Sequence, residues 1–170
     1  RRYSSVTIDG TVTHSANTTA ETYKIHHTVS GNYTINNGGV IDVQSKGYAS
    51  SEGTGQGVDS TSGSGGAGHG GTGGAGSMGA GGSTYDTETA PINIGSGGGA
   101  DDTGNGGKGG GAVFLDVIGN VVVNGNILAN AGNYISLDSG GGSGGAIYII
   151  SSSFSGSGTI EAKGGNGNAS

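Results

Sequence analysis

Apolar and polar residues alternate through the first quarter of the chain. Val6, Ile8 and Val12 are interleaved with Thr7, Asp9 and Thr13, and Tyr23, Ile25, His27 and Val29 with Lys24, His26 and Thr28. A period of two puts successive side chains on opposite faces of an extended backbone, so residues 6–43 read as half-buried strands. Helical spacing is sustained nowhere. The apolar period stops near residue 53 and resumes at 112–117, 121–129, 146–150 and 154–162, which predicts strands on either side of a block that has none. The chain divides into a β-strand region at 1–50, a glycine-rich block at 51–111 and a β-rich region at 112–170, read as parts of one domain.

The β-rich region is duplicated internally. Gly110-Gly111-Ala112-Val113-Phe114-Leu115 matches Gly144-Gly145-Ala146-Ile147-Tyr148-Ile149, and Gly125-Asn126-Ile127-Leu128-Ala129 matches Gly158-Thr159-Ile160-Glu161-Ala162, which gives a unit of about 33 residues. A fainter copy lies before the block, with Ile35, Gly39, Ile41 and Val43 at the places of Val121, Gly125, Ile127 and Ala129. Units of this size cannot bury their own apolar side chains and are stabilised by stacking on one another, each adding a rung to a solenoid. In this reading Ile127 and Ile160 occupy equivalent inward positions.

The block has a period of three. Gly70, Gly73, Gly76, Gly79 and Gly82 form one register, Gly65, Gly68, Gly71 and Gly74 a second, and His69, Thr72, Ala75 and Met78 fill the third. An extended helix with three residues per turn has no internal hydrogen bonds, so its amides must pair with neighbouring segments. The phasing therefore predicts polyglycine II-like segments packed backbone to backbone. A flexible linker has no reason to keep phase. The expected fold class is all-β: a parallel β-solenoid-like stack carrying Gly-Gly-X extended segments, with a β-sandwich as the alternative.

Composition supports an architectural role. Of 170 residues 43 are Gly, with one Pro, no Cys and no Trp, and six Lys or Arg stand against twelve Asp or Glu for a net charge of −6. No basic cluster lies beyond Arg1-Arg2, so nucleic acid is not an expected partner. No apolar run approaches the ~20 residues of a membrane span. Without Cys there are no disulfides or thiolate sites, and nothing follows about compartment. The chain opens on Arg1 with neither Met nor an apolar leader, which reads as a processed chain or a stretch of a longer one.

The run 66–71, the stretch from Tyr85 to Pro91 leading into Gly95-Ser96-Gly97-Gly98-Gly99, and the two Gly-Gly-Ala segments at 110–115 and 144–149 together resemble glycine-rich repeat proteins of cell surfaces, a family of parallel β-solenoids. The resemblance covers roughly residues 31–167. It implies a secreted or surface-attached structural protein and carries no catalytic residue across. The Gly-Gly-X phasing separately resembles the polyglycine bundles of some phage tail adhesins. The first thirty residues match neither pattern.

Candidate chemistry is sparse. His26 and His27 are adjacent and face opposite ways on a strand, so they do not chelate one ion, and His69 reads as a space-filling side chain between glycine segments. Asp101-Asp102 with Gly104-Asn105-Gly106 offers oxygen ligands but lacks a calcium-loop spacing. Asp86 and Glu88 flank Thr87 in an expected loop, and an active-site pair would require a cleft around them. No cofactor, metal or catalytic residue is expected, and the protein is read as a non-enzyme. Asn17, Asn32 and Asn168 head sequons, at about the frequency chance would give.

The expected function is a structural subunit of an extracellular or cell-surface fibre or layer, with identical subunits as partners. The alternative is a glycan-binding adhesin or tip module. Residues 3–13 alternate cleanly at the start of the chain, so Tyr3, Val6, Ile8 and Val12 are the candidate assembly residues, expected to add as a strand to the next subunit.

Overall fold

In the computed structural model, which describes residues 1–102 and 105–168, the chain forms four stacked coils of three short strands each. The first coil holds β1 (Arg2–Tyr3), β2 (Val6–Ile8) and β3 (Thr11–Val12). The second holds β4 (Ile25–Val29), β5 (Tyr33–Ile35) and β6 (Val40–Asp42). The third holds β7 (Ala112–Val117), β8 (Asn120–Val123) and β9 (Asn126–Leu128), and the fourth β10 (Ala146–Ile150), β11 (Ser153–Ser155) and β12 (Thr159–Glu161). Each coil gives one strand to each of three four-stranded sheets, ordered β1-β4-β7-β10, β2-β5-β8-β11 and β3-β6-β9-β12. Every pairing is parallel. This is a parallel β-solenoid, and the pairing rules out the antiparallel β-sandwich. No helix occurs among the described residues. Gly104 of the proposed oxygen-ligand stretch, and Ala169 and Ser170 of the last sequon, lie outside them.

Parallel in-register stacking brings like residues into columns. Val6, Tyr33, Val121 and Phe154 form one, and Val12, Ile41, Ile127 and Ile160 another. Tyr33, Ile35, Ile41, Leu115, Val121 and Ile127 are fully buried at the centre of the main apolar cluster. The corners are equally regular. Gly39, Gly125 and Gly158 lie above one another, and a Cβ on each would run into a backbone carbonyl of the coil before it, that of Ile8, Gly39 and Gly125 respectively. Glycine is required here for close approach, because φ is not left-handed at any of the three.

The duplication has the register that its sequence suggests, with Ala112 opposite Ala146 and Ile127 opposite Ile160. The fainter copy is correct at Ile41 and Ile127 but not at Ile35, which pairs with Val123 while Tyr33 faces Val121. The cause is the corner: residues 36–39 separate β5 from β6, whereas only 124 and 125 separate β8 from β9. The expected strands at 121–129 and 154–162 each break in two at these glycine corners. Gly156, with φ of 125°, makes the second break. Residues 1–30, which matched no repeat, supply a first coil and the opening strand of the second.

The glycine-rich block leaves the stack after β6 and returns at β7. The phase that runs unbroken from Gly70 to Gly82 does not make one long segment: the chain bends at 69–71 and again at 77–79. Folding back lets neighbouring legs satisfy each other's amides. Gly66 donates to the Gly74 carbonyl, Gly73 to Gly82 and Gly82 to Gly66, at 2.8, 2.8 and 2.9 Å. The segment 95–100 lies inside the block. Gly95 donates to Gly110, Gly97 to Glu52, Gly98 to Gly107 and Gly99 to Gly65, while Gly140 and Ser143 donate back to Gly99 and Ser96. Residues 94–100 are all buried although five of the seven are Gly or Ser. Beside the apolar core the molecule thus has a second interior built mainly of backbone, where peptide groups pair in place of side chains. Ile94, Ala112 and Ala146, with Tyr48 against them, join the two.

Candidate functional site

The two ends of the stack differ from its middle. At the head, β1, β2 and β3 are the outermost strands of their sheets, and at the tail β10, β11 and β12 are. The candidate assembly residues all belong to the head coil, where Tyr3 is opposite Val29, Val6 opposite Tyr33, Ile8 opposite Ile35 and Val12 opposite Ile41. Ile8 is buried, and Tyr3, Val6 and Val12 pack half-buried against the same core. The segment expected to leave for the next subunit is therefore the first coil of its own. The head coil has a ready partner in the second coil, and the interleaved Val and Ile that suggested donation pack there.

The tail shows what the sequence reading missed. Ile127 is 0% exposed, but Ile160, in the same column one coil on, is 41% exposed, and Phe154 above buried Val121 is 53% exposed. Their side chains continue the inward columns, and no other strand among the described residues covers them. The visible signal was the repeat itself, which keeps its apolar positions through the last copy in the sequence.

Beside the tail lies a cleft of about 880 Å³. One wall is the coil face with Ile147, Ile160 and Ala162, and the other is built from His69, Thr72, Thr84, Tyr85, Asp86 and Glu88. His69 and Asp86 meet at 3.3 Å with side chains 7% and 6% exposed. The other ring nitrogen of His69 lies 2.8 Å from the Gly144 carbonyl. Both ring nitrogens thus face oxygens that only accept, so both are occupied inside the cluster. Burial alone would raise the Asp86 carboxyl, but the amides of Asn93, Thr87 and Ile92, with the His69 ring, hold it below the ordinary carboxylate value. Tyr85 lies tilted against His69 at 4.5 Å between ring centres and donates its hydroxyl to the Ile94 carbonyl. Burial pushes that phenol up to about 12. This cluster ties the 69–72 bend and the 84–91 loop to the tail coil. His69 does fill space as expected, with a buried partner that no sequence spacing announced. Asp86 is engaged inside the cluster, whereas Glu88 lines the cleft as an exposed side chain.

The remaining candidates have structural surroundings. His26 is exposed and stacks on Phe114 at 4.5 Å, while His27 is half-buried, 3.0 Å from the Tyr33 hydroxyl. Burial lowers His27, and His14 likewise. Asn17 is buried and organises the loop between the first two coils: its side-chain amide donates to Tyr23 and Lys46 carbonyls, and its oxygen accepts from Thr22 and Tyr23. The nitrogen that a glycan would occupy there is already committed. Asn32 is exposed and accepts from the Asn120 amide. Asn168 is half-buried and donates its backbone amide to Ser139. Among the described residues no group of three or more His, Asp or Glu is placed to hold a metal ion, and no helix is long and apolar enough to cross a membrane.

No family model, curated protein or solved structure matches the chain.

Proposed function

We propose that the protein is a structural subunit of an extracellular fibre or surface layer, assembled from identical copies stacked coil on coil. The observation that carries this reading is the tail face, where Phe154 and Ile160 continue buried columns into solvent. A solenoid with unpaired strands at both ends templates its own extension. Head and tail are different surfaces, so the contact is head-to-tail and propagates instead of closing into a pair. The N-terminal strands still add to the next subunit in this scheme, as the edge of a folded coil and not as a detached arm.

Negative-stain electron microscopy and light scattering across a concentration series test it. Filaments or sheets that lengthen with concentration are expected. A chain that stays monomeric up to millimolar concentration overturns the reading.

A second reading, a glycan-binding surface module, is favoured by the cleft, whose Thr72, Thr84, Thr87 and Tyr85 offer hydroxyl and aromatic contacts. Saturable binding of an oligosaccharide from a glycan array, lost on Tyr85→Ala with the fold intact, would select it.

A further inference from the structure

The head coil carries a glycine that no contact among the described residues requires. Gly10 belongs to the corner column of Gly39, Gly125 and Gly158, because Thr11 pairs with Val40 and Val40 with Asn126, the residue opposite Thr159. In the other three members a Cβ would strike a carbonyl of the preceding coil. At Gly10 a Cβ would meet nothing within 4 Å, and φ is not left-handed. The crowding that demands glycine in this column is absent at Gly10, where no coil among the described residues lies before it. A second copy would restore it: with that copy's tail below the head, Gly10 would sit on Gly158 as Gly158 sits on Gly125.

From this we infer that the head coil of one copy docks on the tail coil of the next in the register already used three times within the chain. This rests on the self-assembly reading and gives it a defined interface. The intramolecular pairings set the partners. Val6 of the incoming copy falls on Phe154, Gly10 on Gly158 and Val12 on Ile160, so the exposed apolar side chains of the tail are covered by the half-buried ones of the head. The charges are complementary as well. Both arginines of the chain, Arg1 and Arg2, are in the head coil, whereas the tail cleft is lined by exposed Glu88 and by no Lys or Arg. In this register Arg1 falls on Ile149, two residues or about 7 Å along β10 from Ile147 in the cleft wall.

Gly10→Ala tests the register, since it adds one methyl that meets nothing among the described residues and would meet Gly158 of a docked copy. The variant is expected to melt at the temperature of the parent while its critical concentration for assembly rises at least tenfold. Parent-like assembly by Gly10→Ala would overturn the register and leave the self-assembly reading standing, whereas a parent chain that never assembles would remove both. Cross-linking supplies a readout independent of that variant. The chain has no Cys, and Val12 and Ile160 lie three coils or about 14 Å apart within one subunit, too far for an internal disulfide. Val12→Cys combined with Ile160→Cys should give a ladder of oligomers on oxidation, and Val6→Cys with Ile160→Cys should give none. A ladder from the second pair and not the first would refute the proposed partners.

Discussion

Glycine does two different jobs in this chain, and single substitutions separate them. Gly73 and Gly97 have backbone where a Cβ would go, the carbonyls of Gly66 and Ala49, whereas a Cβ on Gly71 or Gly74 would meet nothing within 4 Å. Gly73→Ala and Gly97→Ala should each lower stability by about 1–3 kcal/mol, the usual cost of overpacking an interior that cannot yield. Gly71→Ala and Gly74→Ala should be neutral or raise stability by up to about 1 kcal/mol, by narrowing the unfolded ensemble. Denaturant titration of the four variants checks both halves; equal effects would mean that the block is not packed as described.

The titrating residues set a second expectation. His27 and His14 are held below the ordinary histidine value chiefly by burial, so their neutral forms favour the fold. That stability is present above about pH 6.5 and is lost as the unfolded chain takes up protons below it. Asp86 also has a depressed value, and its contribution is present above about pH 4 and lost below. Tyr85 acts at the other extreme, losing its contribution between about pH 10, where the unfolded phenol ionises, and about 12. Unfolding free energy measured from pH 8 downward should fall in two stages, and His27→Gln should flatten the first.

Among the strands, position in the stack decides what an equivalent residue contributes. Ile127 and Ile160 share a column, but only Ile127 has a coil on both sides. Ile127→Ala should cost about 2–5 kcal/mol, as for a fully buried aliphatic side chain, and Ile160→Ala less than about 1 kcal/mol in the isolated chain. Equal losses would show that the tail is covered in solution. The sequence shows this repeat because stacking in register demands like residues at like places, and Gly39, Gly125 and Gly158 are legible for that reason. It hides the first coil because β1, β2 and β3 total seven residues, too few for a period to stand out. The tail surface was half legible: the apolar residues could be counted, but their exposure depends on what lies beyond them. The His69 and Asp86 contact was not legible at all, since it forms only when two bends of the block meet.

On the scale of the molecule, the head coil is an integral layer. Removing residues 1–13 deletes β1, β2 and β3 and uncovers Tyr33, Ile35 and Ile41, now fully buried. The shortened chain should unfold at a lower denaturant midpoint and bind an apolar dye that the full chain does not. An unchanged midpoint would mean that the first coil contributes nothing to its own subunit.

The place where the block leaves and rejoins the stack also governs how the chain can reach this structure. β4 pairs with β7 across 88 positions of sequence, Thr28 with Asp116, so the second and third coils cannot zip together by adding the next residues in line. Closing so long a loop costs entropy before any contact repays it, and folds dominated by such contacts form slowly. The first and last pairs of coils are local by comparison, at spacings of 26 and 34 positions, Arg2 with Thr28 and Ala112 with Ala146. Refolding followed by pulsed amide exchange should therefore protect each pair of coils before their shared boundary, with the amides of 95–100 closing last. The boundary between second and third coils would then be the kinetic seam of the molecule, hidden in the finished stack by its regularity.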